Sequence, residues 1–253
     1  IAPPDATAQI LRLFCGDYLS AKHGYPDLLV IEDEHLSFIE IKTDGDQLRR
    51  NQLLRLQQLQ DAGFDAAIRR VHWVIDAAQP YVVVDVETTG GKGSRHRVTE
   101  IGAVKVVGDQ IVDTFHTLLN PGRPIPRSIT RLTGISDAMV ADAPVFGDIA
   151  EAFAAFASDA IFVAHNVEFD FGFIAAEFER MGRAFRRPKL CTCASMRKLF
   201  PGHDSYGLGA LCAAYDIPLK THHRALCDAE AAAQLLLMIN ERRRELLEQG
   251  RPL

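Results

Sequence analysis

The sequence lacks a long apolar run: no stretch approaches the roughly 18 apolar residues that a membrane-spanning helix needs. This excludes a protein built from spanning helices. The first residues, IAPPDATAQILRLF, carry no basic segment ahead of the apolar stretch, so we predict no signal peptide. The five cysteines are scattered and odd in number, which argues against a disulfide framework and favours reduced thiols in a cytoplasmic protein. Cys191 and Cys193 are one residue apart without a second pair nearby, so we predict no zinc site.

A strong positive charge is missing as well. The chain holds 28 basic and 33 acidic residues, a formal charge of −5, which excludes a protein that coats DNA through wholesale basic charge. Local basic patches remain compatible with this total. Hydrophobic residues make up 47% of the 253 positions, enough for a buried core in one large domain or two small ones.

A short linker at 76–80 divides the sequence into two parts. Pro80 cannot lie in a central strand, and a new apolar strand begins directly after it. We therefore predict domains at 1–78 and 79–253. In the first, the pattern predicts helices at 5–22 and 46–62 and strands at 27–31, 36–42 and 66–74. In the second, it predicts strands at 81–86, 98–107, 110–118 and 160–164, and helices near 127–133, 146–157, 167–182, 191–199, 206–214 and 224–247. Strands followed by helices, with one αβ crossover, indicate a mixed α/β domain.

Two acids follow the apolar strand of the second part. Asp85 and Glu87 are two residues apart, so on a strand they point to the same face. In a buried strand they would repel each other and lose solvation unless a divalent metal compensates their charge. The alternative is that the strand ends at Val84 and both acids are solvated. The following turn, Thr88-Thr89-Gly90, could offer hydroxyl and N–H donors to a ligand or be an ordinary turn.

Two helices contribute further acids. Asn166 is a plausible N-cap, which places Asp170 in the first turns of a helix whose apolar face includes Phe169 and Phe173. The helix dipole would also favour an acid there, and His165, just before the cap, is interpreted as structural. Asp228 lies at the edge of an alanine-rich stripe on the predicted helix 224–247. It lies several residues inside that helix and is therefore not an N-cap.

Together these motifs resemble the DnaQ-like 3′–5′ exonucleases of the DEDD type. The matching stretches are VVVDVETTG, HNVEFDFGFI and HRALCDAEAA, in the family order, with ITRLTGI between the first two. The resemblance implies an RNase H-like mixed sheet with flanking helices. His223 stands five residues before Asp228, and Arg224 stands four before it, so the sequence is similar to the branch with a catalytic histidine.

The resemblance implies a site for two Mg²⁺ or Mn²⁺ ions held by four carboxylates, Asp85, Glu87, Asp170 and Asp228. His223 would accept the proton of the attacking water, and the neighbouring His222 would point elsewhere. Thr88 and Thr89 would contact the terminal 3′ nucleotide. Phe171 would stack on that base or belong to the core. Four arginines could contact phosphates or be solvated surface residues: Arg95, Arg97, Arg127 and Arg131.

The first part carries a second acidic motif. Asp27 precedes a strand in which Glu40 and Lys42 share a face, an arrangement that resembles the metal and lysine set of PD-(D/E)XK nucleases. Its surroundings are similar to the VRR-NUC domain over about 24–75, which implies a small α/β domain ahead of the exonuclease. That family has an acid on the first helix, where only Asp17 is available. The part is either an active nuclease, a degenerate binding module or an incomplete domain.

The sequence therefore predicts a metal-dependent 3′–5′ exonuclease for nucleic acid, with DNA favoured over RNA. Two alternatives stay open. One is an oligoribonuclease-like enzyme that trims RNA, and the other is a nucleic-acid-binding module with dormant sites. The complete set of four acids and one histidine argues against dormancy.

Overall fold

The computed structural model describes residues 4–16, 23–33, 35–43, 46–71, 76–219 and 223–251. The chain forms two compact units, Ile1–Val74 with Glu245–Leu253, and Ile75–Arg244. Each has its own sheet. No helix in these described ranges is both long and apolar enough to cross a membrane.

In the residues that the structure describes, the first unit is a three-stranded sheet with two helices. Its elements are α1 (Pro4–Gly16), β1 (Leu28–Glu32), β2 (His35–Lys42), α2 (Arg50–Asp61) and β3 (Asp65–Arg70). The order is β1-β2-β3, with β1 antiparallel and β3 parallel to β2, so α2 forms a crossover. Leu56 and Leu59 of α2 pack with Phe64 and Ala66 in a small core.

Two boundaries in this unit differ from the prediction. The helix predicted from 46 begins at Arg50, because the Asp46 carboxylate accepts hydrogen bonds from the N–H and hydroxyl of Thr43 and forms a turn instead. The helix predicted over 5–22 is described only to Gly16, and its residues 17–22, including Asp17, lie outside the described ranges. The strand predicted over 66–74 ends at Arg70, and 72–75 are also outside them.

The second unit is a five-stranded mixed sheet with helices on both faces. Its strands are β4 (Tyr81–Thr88), β5 (Val98–Val107), β6 (Gln110–Leu118), β7 (Ile161–Ala164) and β8 (Lys189–Cys191). Its helices are α3 (Arg127–Thr133), α4 (Asp137–Val140), α5 (Phe146–Phe156), α6 (Val167–Arg180), α7 (Thr192–Leu199), α8 (Leu208–Ala214) and α9 (Ala225–Glu248). The strand order is β6-β5-β4-β7-β8, antiparallel from β6 to β4 and parallel from β4 to β8. The predicted mixed α/β class is confirmed, with a second parallel connection that the sequence pattern did not predict.

The alternation of β4 divides its side chains between two cores. Val82 and Val84 pack against α5 and α6, in a cluster rich in phenylalanine. Val83 packs on the opposite side with Leu235 and Leu236 of α9. Because residues two apart share a face, Asp85 continues the face of Val83 and points towards the side that α9 covers. The fold thereby brings the end of β4 and the start of α9 to one place.

Candidate active site

The end of β4 carries two acids inside the strand. β4 continues to Thr88, so the alternative in which the strand ends at Val84 is wrong. Glu87 is buried and Asp85 is half-buried. The pairing with β5 shifts register between Glu87 and Thr88, a bulge that ends the regular ladder at this point. The carboxylates of Asp85 and Glu87 therefore lie near the C-terminal end of a buried strand.

Helix α6 brings Asp170 to the same strand end. Its side chain is buried, and its Oδ1 accepts a hydrogen bond of 3.0 Å from the N–H of Val86. Asn166 does occupy the N-cap, but in the left-handed region with φ of 80° and without a side-chain cap bond. His165, interpreted as structural, lines the cleft, and its ring nitrogens lie 3.0 Å from Thr192 Oγ1 and 2.8 Å from the carbonyl oxygen of Tyr206.

Helix α9 supplies Asp228, with His223 just ahead of the helix. Asp228 is buried, and its Oδ2 accepts a 3.0 Å hydrogen bond from the N–H of His223. One ligand atom from each of Glu87, His223 and Asp228 lies within 4.8 Å of the others, a spacing that one metal ion can bridge. His222 lies outside the described residues.

All five predicted residues line one cleft of about 370 Å³. Its acidic floor consists of Asp85, Glu87, Asp170 and Asp228, with His223 beside them. Its other lining is largely apolar or backbone, including Gly90, Gly91, Ile129, Leu132 and Phe169. The cleft thus combines a cluster of oxygen ligands with an apolar wall large enough to contact a flat ring.

The acids of the cleft carry strongly perturbed pKa values. Burial, with the charges of Asp228 and Glu100, raises the pKa of Glu87 to about 7. Burial also raises the pKa of Asp170 to about 8. The pKa of Asp85 lies well above its ordinary value, through burial and then the charge of Asp170. A group of buried acids that resists ionisation fits divalent cations, since hard cations prefer carboxylate oxygens and would stabilise the charged forms.

Only some of the residues predicted to contact the substrate line the cleft. Thr88 lines the cleft, whereas Thr89 is buried and its hydroxyl accepts a hydrogen bond from the N–H of Arg97, so Thr89 braces the turn. Phe171 also turns away, packing its ring against Phe162 at 5.2 Å. Phe169 packs on Phe173 with ring centroids 4.9 Å apart, on the apolar face predicted for it, and it also lines the cleft. Phe169 and Phe171 differ because residues two apart on a helix point in different directions.

One of the four candidate phosphate contacts is engaged elsewhere. Arg97 Nε lies 2.9 Å from Oε1 of the buried Glu177, so this arginine forms an ion pair within the protein. The other three are exposed: Arg95, Arg127 and Arg131.

Sequence reasoning missed Glu100 of β5, which is fully buried beside the cleft. Arg224 pairs with it at 2.8 Å, whereas the sequence analysis used Arg224 only to assign the branch of the family. The available signal was an acid near the start of the largely apolar predicted strand Val98–Val107.

The acidic motif of the first unit is neutralised within the protein. Lys42 Nζ lies 2.7 Å from Glu40 Oε1 and 3.1 Å from Gln52 Oε1, and Gln52 also donates to Glu40 at 2.5 Å. Asp27 is exposed and accepts a 2.8 Å hydrogen bond from the N–H of Ile41. Glu40 Oε2 is buried and has no hydrogen-bond partner among the described residues. Gln52 of α2 is a further residue of this cluster, which the sequence analysis did not identify.

Family comparisons match both parts of the chain. Residues 82–236 match the exonuclease family RNase T, and residues 2–73 match the VRR-NUC domain. The chain is 39% identical over 181 residues to the DNA polymerase III PolC-type of Bacillus subtilis, covering 71% of this chain and 12% of that protein. It is also 39% identical over 166 residues to the PolC-type polymerase of Caldanaerobacter subterraneus, covering 66% of this chain and 12% of that one. The chain thus spans about an eighth of the length of these relatives.

Solved exonucleases have a similar fold. Exonuclease X in complex with 5′-overhanging duplex DNA is 30% identical with a TM-score of 0.51, over 64% of this chain and 91% of that one. E. coli Exonuclease I in complex with a dT13 oligonucleotide is 16% identical with a TM-score of 0.61, over 68% of this chain and 43% of that one. The second likeness shows the fold alone.

Proposed function

The chain belongs to the RNase T exonuclease family, whose match covers more than half of it, and from that premise we propose that it is a 3′–5′ exonuclease that uses Mg²⁺ or Mn²⁺ to hydrolyse DNA. One observation carries this proposal. Four carboxylates and a histidine from β4, α6 and α9 line a single cleft. We propose further that the exonuclease domain is 79–253 and that 1–78 is a VRR-NUC-like module.

The four acids are the proposed metal ligands. Asp85, Glu87, Asp170 and Asp228 offer hard oxygen donors, and three of them have raised pKa values that a nearby cation would reverse. Two divalent ions, when bound, would stabilise the attacking and leaving oxygens of an in-line displacement at phosphorus. The protein's part is to hold the acids together while they are largely withdrawn from water.

His223 is the proposed general base. It stands at the edge of the acidic floor, with its backbone N–H held by Asp228. Its ring nitrogen can accept a proton from the attacking water, and the acids around it favour the charged ring that results. The proton is then passed to solvent at the open side of the cleft.

The apolar wall is the proposed contact for the last base. Ile129, Leu132 and Phe169 line the same cleft as the acids, and an apolar face accepts any of the bases by stacking. Thr88 also lines the cleft, and its hydroxyl donates to the Gly90 carbonyl at 2.8 Å. The hydroxyl oxygen keeps acceptor capacity, through which Thr88 is the proposed contact to the terminal nucleotide.

DNA is the proposed substrate because the relatives are named as DNA polymerases and the solved neighbours contain DNA. The test compares single-stranded and duplex DNA with RNA of the same sequence, labelled at either end, with Mg²⁺, Mn²⁺ or EDTA. We expect stepwise loss of mononucleotides from the 3′ end of DNA in metal. Faster degradation of RNA would favour the RNA-trimming alternative, and removal from the 5′ end would overturn the assignment of direction.

A modified end sharpens the same test. A 3′-phosphate adds bulk and negative charge next to Glu87, so we expect it to block the first cleavage. A 5′-phosphate on the same oligonucleotide serves as the matched control and should change the rate little.

A further inference from the structure

The strand beside β4 carries a fifth buried acid that the proposed reaction does not use. Glu100 of β5 is fully buried and stands directly opposite Glu87 in the β4–β5 pairing. Opposed like charges destabilise a strand pair unless one of them is neutralised. How Glu100 is neutralised therefore bears on the site itself.

Donors from three places converge on Glu100. Arg224 donates through Nη2 at 2.8 Å and through Nε at 3.1 and 3.2 Å, and the N–H of Ala225 donates at 3.1 Å. His116 Nε2 lies 2.7 Å from the same carboxylate. Burial alone would raise the pKa of Glu100, but the hydrogen bonds from Arg224, His116 and Ala225 hold it below its ordinary value. Both carboxylate oxygens of Glu100 are thus occupied by hydrogen-bond donors of the protein.

Two of these donor residues, Arg224 and Ala225, lie at the start of α9. Ala225 is the first residue of that helix, and its N–H is one of those that a helix leaves without an internal partner. The preceding residue, Arg224, is held by the same carboxylate. One residue earlier, His223 adopts a left-handed backbone with φ of 65°, a conformation that a non-glycine residue keeps only when its neighbours are fixed.

Close packing adds to this anchor. A Cβ on Gly102, two residues along β5 from Glu100, would lie 2.2 Å from the backbone of Ala225 and Leu226. The first turn of α9 therefore sits directly on the β5 backbone. Glu100 and Gly102 share a strand face and together fix where this turn lies.

We propose that Glu100 is a positioning residue for the nuclease reaction. Through Arg224 and the N–H of Ala225 it fixes the first turn of α9, and so sets both His223 and Asp228 at the cleft. This inference rests on the proposed function, because His223 and Asp228 matter only if that reaction takes place there. It requires no contact between Glu100 and metal or substrate.

The test is Glu100→Gln, which keeps the side-chain size but puts an amide N–H₂ where donors converge. Outer partners of this kind typically change activity about 10–100-fold. We expect kcat to fall by that factor with KM within about threefold, because the base and one acid shift while the apolar wall remains. Hydrogen–deuterium exchange of the 225–228 amides should also become faster, since the Ala225 N–H loses its acceptor.

A double mutant separates positioning from general damage. If Glu100 acts through His223 and Asp228, then Glu100→Gln should lower kcat by a smaller factor in the His223→Ala background than in the wild type, because only its effect through Asp228 remains. A purely structural role would multiply the two losses. Arg224→Lys retains a charged donor and should recover a larger share of kcat than Arg224→Gln.

Ile239→Ala is the matched stability control, because Ile239 is fully buried on the same helix but packs in the core far along it. It should lower the melting temperature at least as much as Glu100→Gln while kcat stays within about twofold. If Glu100→Gln fails to fold, Arg224→Gln, whose side chain is 35% exposed, carries the same test with the same expected outcomes.

The failures are distinguishable. A wild-type protein without 3′-end degradation in any metal would overturn the proposed function. A wild-type protein that is active, with unchanged kcat in the folded Glu100→Gln or Arg224→Gln variant, would overturn only the role of Glu100. Multiplied losses in the double mutant would do the same.

Discussion

Each unit places two ionisable residues two positions apart near the end of a strand, but their charges are balanced in opposite ways. In β2, Glu40 meets Lys42 at 2.7 Å, so the protein supplies the countercharge itself. In β4, Asp85 and Glu87 are both acids and two helices add two more, and the pKa of Glu87 rises to about 7. The contrast supports the proposal that the cleft of the second unit takes a divalent cation, whereas in the first unit Lys42 already supplies a countercharge to Glu40.

The largest expected effect comes from removing one acid of the cleft. Asp85→Ala should reduce 3′-end degradation of labelled DNA roughly 10⁴-fold, equivalent to about 5.5 kcal/mol of transition-state stabilisation. Asp170→Ala and Asp228→Ala should behave alike, and EDTA should abolish activity of the wild type. Asp142→Ala, at an exposed loop position, is the control and should remain fully active. Full turnover in EDTA would remove the contrast between the two units.

A smaller loss is expected at the proposed base. His223→Ala should lower kcat by about 10²–10³, within the usual range for a general base, and leave the fold intact because the residue precedes α9. His222→Ala is the natural control, one residue away. A greater loss in His222→Ala than in His223→Ala would show that the register of the motif is misassigned.

The acids of the cleft should also affect the stability of the fold. The acids that activity requires should lower the free energy of unfolding when no metal is bound. Burial raises the pKa of Asp170 in the folded protein to about 8. Between the ordinary pKa of an aspartate and about pH 8, the folded protein therefore keeps a proton that the unfolded chain has released. In the absence of metal, Asp170 therefore lowers the free energy of unfolding, and this loss grows as the pH rises from about 4 towards 8. Asp170→Asn keeps an oxygen for the Val86 N–H and removes that cost.

We expect Asp170→Asn to raise the free energy of unfolding in EDTA by about 1–3 kcal/mol at pH 8 and by less at pH 5. Urea titrations at the two pH values measure the difference. Mn²⁺ should raise the melting temperature of the wild type and raise that of the variant much less. A variant that is less stable than the wild type at pH 8 would contradict the assigned origin of the pKa shift.

The smallest effect is expected at the first unit. Because Lys42 is paired with Glu40, the Asp85→Ala protein should show no metal-dependent cleavage of DNA, and adding Lys42→Ala should change nothing in that assay. Lys42→Ala should instead lower the stability of the first unit, since it leaves a buried acid unpaired. Residual cleavage that requires metal and disappears with Lys42→Ala would make both units nucleases.

Patterns with a clear period were predictable from the sequence. The strands at 98–107 and 110–118 and the helix at 127–133 were predicted with the bounds they have in the structure. Each alternates or repeats over several residues and ends at a turn. The three acidic motifs also line one cleft, as the family resemblance implied.

Elements that depend on distant partners were not predictable. Lys189–Cys191 forms β8 only because it pairs with β7, and three residues carry too little pattern to indicate a strand. Asp137–Val140 is a single helical turn with the same limitation. Local sequence is weak where tertiary contacts decide the conformation.

Side-chain direction was the other source of error. Phe169 and Phe171 are both apolar and lie two residues apart on α6, and only the packed structure shows which one lines the cleft. Glu100 was missed because its partner Arg224 lies 124 residues away in sequence. Such a pair has no local signature.

The order of the acids along the chain has a consequence for the newly made protein. β4 and β5 form from neighbouring segments, so the strand that bears Asp85 can pair soon after synthesis. Asp170 reaches that strand across 84 residues, and Asp228 is encoded still later. Contacts between distant segments form slowly because the intervening loop must close first. We therefore expect that a ribosome-bound chain, emerging from its N-terminus, has no nuclease activity until the last helix is released.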